Sequence, residues 1–264
     1  MTPKEYLEAI LKNQTLSPEG GELKKLQEHR SKVEVLLLDE FQDCKPTIRY
    51  GGSKAKGTMI KESYDLDIIC YFGHDATEAG ETLKDIFNNV KGALEKQYEL
   101  QPKTSALRLK SKKDQTRGVD FHIDVVPGRF TDDKKEDAFL HNTSGEKDRL
   151  KTNLEKHIVH IRDSGFADAI RLMKLWNIRN GISVKTFVLE LLVVKILSEP
   201  KNAGDLPAEL KRVWAFMRDH SKELSVEDPA NPTGNDLSDL LNDVVKARLQ
   251  TWATSTLKTI EDAG

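Results

Sequence analysis

The chain has 264 residues, of which 38% are hydrophobic and 32% charged, and a formal net charge of -2 at pH 7. This near-neutral charge excludes the strongly basic field of a dedicated nucleic-acid-binding protein, although it leaves local nucleic-acid binding open. No apolar run approaches the roughly 20 residues that a transmembrane helix requires, and residues 1–10 lack the basic and apolar segments of a secretion signal. We therefore expect a cytoplasmic globular protein without a membrane anchor.

The two cysteines, Cys44 and Cys70, lie far apart in the sequence. Neither stands in a CxxC motif or at the spacing of a cysteine and histidine zinc site. We therefore expect buried free thiols, and neither a disulfide framework nor a zinc centre.

The first half of the chain begins with a helical pattern. Residues 22–43 place apolar side chains near helical spacing, which predicts a long amphipathic helix. Pro46 ends it, because proline lacks the amide donor and disfavours helical geometry in the residue before it. An extended segment at 48–52, a glycine-rich turn and an extended run at 64–72 then predict strand, loop and strand.

A second helix and a pair of strands follow. Residues 76–98 again repeat apolar side chains at helical spacing. Segments 104–111 and 117–127 alternate in polarity and predict two strands, the second ending at Pro127. The basic run 103–113 overlaps this pair, and we interpret it as a solvated strand face rather than a nucleic-acid contact.

The second half of the chain is mainly helical in pattern. Segments 167–181 and 184–197 are strongly apolar helices, and Gly181 is a C-cap candidate between them. The predicted fold class is therefore α+β, with a mixed sheet and a long N-terminal helix followed by an α-helical C-terminal lobe. We expect one bilobal unit made of a first lobe, 1–150, and a helical lobe, 151–264.

Paired carboxylates mark the first candidate site. Strand side chains alternate between faces, so Asp65 and Asp67 share one face while Leu66 and Ile68 point into the core. Two carboxylates that converge on one spot repel each other and raise each other's pKa unless a cation neutralises them.

The later strand offers a third carboxylate. The same alternation places Asp120, His122 and Asp124 on one face. The two aspartates lie roughly 13 Å apart along an ideal strand, so we expect only one of them to reach the first pair. Alternation alone does not choose between them, and His122 is a candidate for orienting a phosphate or Asp120.

This set of carboxylates suits magnesium. Mg²⁺ prefers oxygen ligands and usually shares its shell with substrate phosphates, which points to phosphoryl or nucleotidyl transfer. Mn²⁺ is the alternative cation. The turn Gly51, Gly52 and Ser53 permits close approach of backbone amides to a triphosphate, and Ser53 adds a hydroxyl donor. We expect Gly57 and Thr58 to close this cradle.

These motifs occur in a fixed order: GS, then GT, then an Asp-x-Asp strand, then an Asp between apolar residues before Val-Pro. The order is similar to the signature of polymerase-β-like nucleotidyltransferases. Archaeal CCA-adding enzymes share it. In the second half, RLMKLW (171–176), KTFVLELL (185–192) and DPANPTGND (228–236) resemble oligoadenylate synthases. They equally resemble the bacterial CD-NTases, which are cyclic-oligonucleotide synthases related to cyclic GMP-AMP synthase. The resemblance spans most of the chain.

The resemblance implies a polymerase-β-like fold and roles for the three aspartates. Asp65 and Asp67 would bind two metal ions. Asp124, whose apolar flanks match the family pattern, would complete the site and help to activate an attacking ribose hydroxyl.

The resemblance also implies nucleotide-binding residues. Gly52 and Ser53 would hold the β- and γ-phosphates, Lys174 would reach the triphosphate, Thr186 would donate to phosphate, and Phe187 would stack on a base. The resemblance makes residues 1–150 the catalytic lobe and residues 151–264 the nucleotide-binding lobe. From the residues alone, Lys174 is equally a solvated helix lysine, and a core position is the commoner fate of an aromatic residue such as Phe187.

The implied activity joins NTPs, with ATP among them, into a cyclic or short linear oligonucleotide and releases pyrophosphate. The resemblance further implies antiphage signalling and a regulatory protein or activating ligand as partner. One alternative is a nucleotidyltransferase that acts on an RNA 3′ end or a protein. Another is a catalytically silent nucleotide sensor, against which the three intact aspartates argue.

Overall fold

The computed structural model describes residues 1–17, 20–112, 120–144, 147–198, 204–235 and 237–263. It forms two compact units, which we call the helical unit (1–15, 56–63 and 159–264) and the sheet unit (16–55 and 64–158). The proposed lobe boundary at 150 stays a prediction. Lys113, the predicted strand start at 117–119 and Asp236 lie outside the described residues.

Among its described residues, the sheet unit contains seven strands in one mixed sheet. The path β1-β2-β5-β4-β3 forms its main part, while β6 pairs with β5, and β7 with β6. Strands β2 and β5 are parallel, and the other pairs are antiparallel. The strands are β1 Thr47–Tyr50, β2 Leu66–Phe72, β3 Glu99–Pro102, β4 Leu107–Lys110, β5 Asp120–Phe130, β6 Ala138–His141 and β7 Arg149–Thr152.

Helices occur in both units. The helices are α1 Pro3–Gln14, α2 Gly21–Glu40, α3 Gly52–Ala55, α4 Leu83–Glu95, α5 Leu154–Arg162, α6 Ala167–Arg179, α7 Thr186–Ser198, α8 Leu206–Asp219 and α9 Asp243–Ala263, with short 3₁₀ turns at Ser221–Glu223 and Ser238–Leu241. The 20-residue α2 is the predicted long N-terminal helix. The α+β fold class, with a mixed sheet and a helical C-terminal part, is confirmed.

The helical unit has its own hydrophobic core. Helices α6 and α7 supply most of it, with contributions from α1, α8 and α9. Helix α7 is buried along most of its length because it is apolar on nearly every face. After α6, Gly181 has a φ of +60°, as expected of the residue that ends a helix.

Several strand and helix boundaries differ from the sequence prediction, and two of them have a clear physical cause. Helix α4 begins at Leu83, not near residue 76, because Thr82 and Asp85 form a capping box that fixes its first turn. Strand β5 continues through Pro127, where its prediction ended. Its pairing with β4 reaches Val125 and its pairing with β6 starts at Arg129, so Pro127 lies between the two partners. Because Pro127 has no amide hydrogen, it can lie at this gap without breaking the hydrogen bonds of β5 to β4 or to β6.

The cysteines are free thiols, as predicted, but only Cys70 is buried, and burial raises its pKa to about 12. Cys44 is partly exposed. Within the described ranges, no helix combines the length and hydropathy that crossing a membrane requires. A cytoplasmic location stays a prediction.

Candidate active site

The predicted carboxylates lie at the parallel pair in the middle of the sheet. Asp67 on β2 is the Cα partner of Asp124 on β5, so their side chains start from the same face. Asp65 comes directly before β2. Leu66 and Ile68 are buried, as the alternation predicted. The register of two neighbouring strands thus brings the predicted aspartates to one region.

A single arginine joins three carboxylates there. Arg108 on β4, the Cα partner of Asp124, donates hydrogen bonds from Nε and Nη2 to the two oxygens of Asp124. Its Nη2 lies 2.8 Å from Asp65 Oδ2, and its Nη1 lies 3.2 Å from Asp120 Oδ2. The prediction of a solvated basic strand face is wrong here, because Arg108 is 7% exposed and paired with carboxylates. A buried guanidinium requires such partners.

A second cation reaches Asp124. Lys103 Nζ donates to Asp124 Oδ2 at 2.7 Å. Burial by itself would raise the pKa of Asp124, but the hydrogen bonds from Arg108 and Lys103, with their positive charges, outweigh burial and lower this pKa below its usual value. Burial opposes the charged form of the Arg108 guanidinium, yet its hydrogen bonds to Asp124 dominate and raise its pKa. Asp124 is therefore held as a carboxylate.

A bulge at the start of β5 brings Asp120 into the same cluster. The register shifts so that Arg108 pairs with Asp124 while Lys110 pairs with Asp120, and His122 between them has a φ of +56°. The separation of an ideal strand therefore does not apply, because β5 has two extra residues against β4. His122 Nδ1 lies 3.4 Å from Asp65 Oδ1, so this histidine faces a carboxylate of the site.

The glycine turn lies against Asp67. The amide of Gly51 donates to the carbonyl of Asp67 at 3.0 Å. Gly52 has a φ of +70°, and a Cβ at this position would lie 1.8 Å from Asp67 Oδ2. Only glycine fits both conditions. Ser53 follows, partly buried, in the short helix α3.

The carboxylate oxygens of this aspartate cluster are suitable ligands for a hard cation, but they are not arranged to coordinate one. Carboxylate oxygens are ligands that Mg²⁺ and Mn²⁺ accept. Across the described residues, no group of three or more His, Cys, Asp or Glu side chains is placed to hold a metal ion as it stands. In this arrangement both oxygens of Asp124 accept hydrogen bonds from Arg108 and Lys103. The metal site stays a prediction.

The helical unit contains a second charged cluster, which is buried. Lys174 on α6 is 3% exposed and donates from Nζ to the carbonyl of Thr58 at 2.8 Å. Glu190 on α7 is fully buried, accepts a hydrogen bond from Thr58 Oγ1 at 2.6 Å, and pairs with Lys56 at 2.8 Å and with Lys174 at 3.9 Å. The interpretation of Thr58 as the closing edge of a phosphate cradle is wrong, because its hydroxyl and carbonyl are both used in this buried cluster.

The remaining predicted residues lie at the start of α7. Thr186 is its first residue and is exposed, while Phe187 is partly buried against the core of the helical unit. Lys56 Nζ lies 4.9 Å from the centre of the Phe187 ring. Their nucleotide-binding roles stay predictions.

The sequence interpretation missed Arg108, Lys103 and Glu190. A signal existed for Arg108, since Leu107 and Leu109 on either side are fully buried and a charged residue in a central strand needs a buried partner. Glu190 carries a similar signal, because it is the one acidic residue in the apolar run of α7.

The fold has close structural counterparts. The chain resembles the Bradyrhizobium diazoefficiens CD-NTase CdnG in complex with GTP, with a TM-score of 0.73, 15% identity, and 99% of this chain and 93% of that chain covered. It resembles E. coli MS115-1 CdnC in complex with HORMA-deltaN, with a TM-score of 0.72, 18% identity, and coverage of 98% and 90%.

A third counterpart is the Elizabethkingia meningoseptica CdnE cyclic dinucleotide synthase with GTP and Apcpp, with a TM-score of 0.70, 14% identity, and coverage of 98% of this chain and 99% of that chain. No family model and no curated protein sequence matches the chain. The agreement over nearly the whole length of all three structures establishes the architecture. The chain therefore has the CD-NTase fold, as the sequence resemblance implied.

Proposed function

We propose that this chain is a nucleotidyltransferase that joins NTPs into a cyclic or short linear oligonucleotide and releases pyrophosphate. The observation that carries the proposal is the position of Asp67 beside Asp124 at the parallel strand pair, with the Gly51 and Gly52 turn against Asp67. The CD-NTase fold supports it. Carboxylates next to a turn that lets backbone amides approach phosphate suit transfer of a nucleotidyl group.

Asp65, Asp67 and Asp124 are the proposed ligands of a divalent cation, Mg²⁺ with Mn²⁺ as the alternative. When bound, such a cation supplies charge neutralisation at phosphate oxygens and acidifies a coordinated hydroxyl. Asp124 suits the ligand role better than that of a general base, since its pKa is lowered by the Arg108 and Lys103 hydrogen bonds that outweigh its burial. Its help in activating a ribose hydroxyl would then come through the cation that it holds.

Each of the predicted nucleotide-binding residues has its own proposed role. In the sheet unit, Gly52 keeps the backbone free of a side chain beside Asp67, and Ser53 offers a hydroxyl to the phosphates. In the helical unit, Thr186 lies at the exposed start of α7, where backbone amides favour an anion. Phe187 is the proposed base-stacking residue. Lys174 would contact the triphosphate by exchanging its present contact with Thr58.

The proposed substrates and partners follow the structural counterparts. CdnG was solved with GTP, CdnE with GTP and Apcpp, and CdnC both with ATP and with HORMA-deltaN. We assign NTPs, with ATP among them, as substrates of this chain, and a regulatory protein or activating ligand as a partner. A role in antiphage signalling stays a prediction from the resemblance.

The experiment that tests the activity is incubation of the chain with all four NTPs and Mg²⁺ or Mn²⁺, followed by mass spectrometry of the products. Oligonucleotides formed from NTPs alone support the synthase. Products that form only after RNA or protein is added would support a nucleotidyltransferase that modifies an acceptor. No product under any of these conditions, with substrate still bound, would support a silent sensor.

A further inference from the structure

The aspartate cluster already contains two cations of the chain itself. Arg108 and Lys103 together contact both oxygens of Asp124, and Arg108 also contacts Asp65 Oδ2 at 2.8 Å. A divalent cation would need oxygens of these same carboxylates, so it meets both competition for lone pairs and repulsion from positive charges.

The two cations differ in how firmly they are held. The side chain of Arg108 is 9% exposed and contacts three carboxylates, those of Asp65, Asp120 and Asp124. The side chain of Lys103 is 41% exposed, and its ammonium contacts Asp124 Oδ2 at 2.7 Å. A planar guanidinium fits several carboxylates at once, whereas an ammonium on a long, partly solvated stem exchanges a protein contact for water at little cost.

We propose that Lys103 is the resident counter-ion of the candidate metal site, which a divalent cation displaces from Asp124, and that Arg108 remains as the residue that keeps Asp65 and Asp124 together. This inference rests on the proposed function, since it takes these aspartates as metal ligands. Its consequence is that Lys103 sets the cation concentration at which the site fills.

Displacement by a cation is testable without any reaction. Mn²⁺ binding to the full chain, in the absence of nucleotide, is followed by the electron paramagnetic resonance signal of free Mn²⁺. The substitution Lys103→Gln removes a positive charge beside Asp124 Oδ2 and leaves Arg108 Nη2 as the remaining cationic donor to that oxygen. We expect the Kd for Mn²⁺ to fall by at least about fivefold, because a unit charge a few ångströms from a divalent ion contributes that much even when solvent screens it.

The sheet unit provides a matched control. The side chain of Lys151 is also 41% exposed, and its Nζ lies 2.7 Å from Asp137 Oδ2. It therefore forms an ion pair of the same kind with a different carboxylate. Lys151→Gln removes an equal charge from the chain, so it reports any general effect of net charge on Mn²⁺ binding. We expect its Kd to match that of the wild type within about twofold, because Lys151 lies on β7, which β6 separates from β5, and solvent screens an exposed charge.

Three outcomes would overturn the inference: an unchanged Kd in Lys103→Gln, an equal decrease in Lys151→Gln, or no saturable Mn²⁺ binding in either the wild type or Lys103→Gln. The NTP incubation separates this inference from the proposed function. Products from the wild type with an unchanged Kd in Lys103→Gln would overturn only the inference. Tighter Mn²⁺ binding in Lys103→Gln without products from the wild type would overturn only the proposed function.

Discussion

At the scale of single residues, Gly52 is the position where both the backbone conformation and a neighbouring aspartate of the candidate site require glycine. Its φ of +70° and the closeness of Asp67 Oδ2 both exclude a side chain. Gly57 offers a comparison, because its φ is +74° but an added Cβ would meet nothing within 4 Å.

We therefore expect Gly52→Ala to be more disruptive than Gly57→Ala. The positive φ costs an alanine roughly 1–2 kcal/mol at either position, and only Gly52→Ala also displaces the Asp67 carboxylate. Urea unfolding of both variants measures the free energy of unfolding, and Mn²⁺ titration measures the site. Equal losses of stability together with unchanged Mn²⁺ binding in Gly52→Ala would contradict this account.

The aspartates show what a sequence reveals at this scale. Asp65 and Asp67 follow from alternation, since the buried Leu66 and Ile68 define the opposite face. The relation of Asp120 to Asp124 did not follow, because it depends on the bulge in β5, and a bulge breaks the period of two on which the pattern rests. Arg108 was missed for a related reason, since its partners come from β5 and from the residue before β2.

At the scale of elements, the buried cluster at Glu190 connects segment 56–63 to α6 and α7 within the helical unit. Its carboxylate has two lysine partners, Lys56 and Lys174, and a hydroxyl partner, Thr58. Buried charges of this kind are costly when one partner is removed, because the remaining charge loses its compensation.

We expect Glu190→Gln to lower the free energy of unfolding by about 3–5 kcal/mol, the usual cost of breaking a buried ion pair. Urea unfolding measures the change. Glu155→Gln, at an exposed position of α5, is the control and should change stability by less than about 0.5 kcal/mol. A Glu190→Gln variant as stable as the control would show that the cluster contributes no net stability.

A second link in the helical unit is sensitive to acid. Glu62 accepts hydrogen bonds from Arg179 and Gln14, and the Arg179 bond is the main cause that lowers the pKa of this carboxyl. A carboxyl group whose pKa is lower in the folded state stabilises the fold at pH values above its unfolded pKa, which is about 4.3. This stabilisation is lost as the pH falls through the folded-state pKa.

Stability should therefore fall more steeply below about pH 4.3 in the wild type than in Glu62→Gln. The measurement is the free energy of unfolding in urea at several pH values between 7 and 3.5. Parallel curves for the two proteins would contradict the link. We expect a small difference, because the pair is largely exposed and solvent screens it.

Element boundaries were harder to predict than elements. Helix α2 follows from apolar side chains near helical spacing, and helices α6 and α7 follow from long apolar segments. Strand β5 runs beyond its predicted end because Pro127 lies between two pairing partners, a fact of sheet topology that the local sequence does not contain. Gly128 next to it is equally a matter of packing, since a Cβ there would lie 2.7 Å from Leu140.

At the scale of the whole molecule, the α+β architecture agrees with solved structures that share only 14 to 18% of their residues with this chain. The overall fold is therefore shared although most residues differ, which is the tolerance expected of hydrophobic cores. The motifs of the first half and the helical pattern of the second were sufficient to predict this fold. They were not sufficient to place the charged partners of the site, which come together only through tertiary contacts.

The central claim is that the aspartates on β2 and β5 carry out nucleotidyl transfer. The most direct test measures pyrophosphate release from mixed NTPs with Mg²⁺ or Mn²⁺. It compares the wild type with Asp67→Asn and, as a control, with Asp75→Asn, which changes an exposed aspartate. We predict release by the wild type and by Asp75→Asn, and a loss of at least about a hundredfold in Asp67→Asn, since such sites depend on charge stabilisation. Undiminished release by a folded Asp67→Asn protein would contradict the claim.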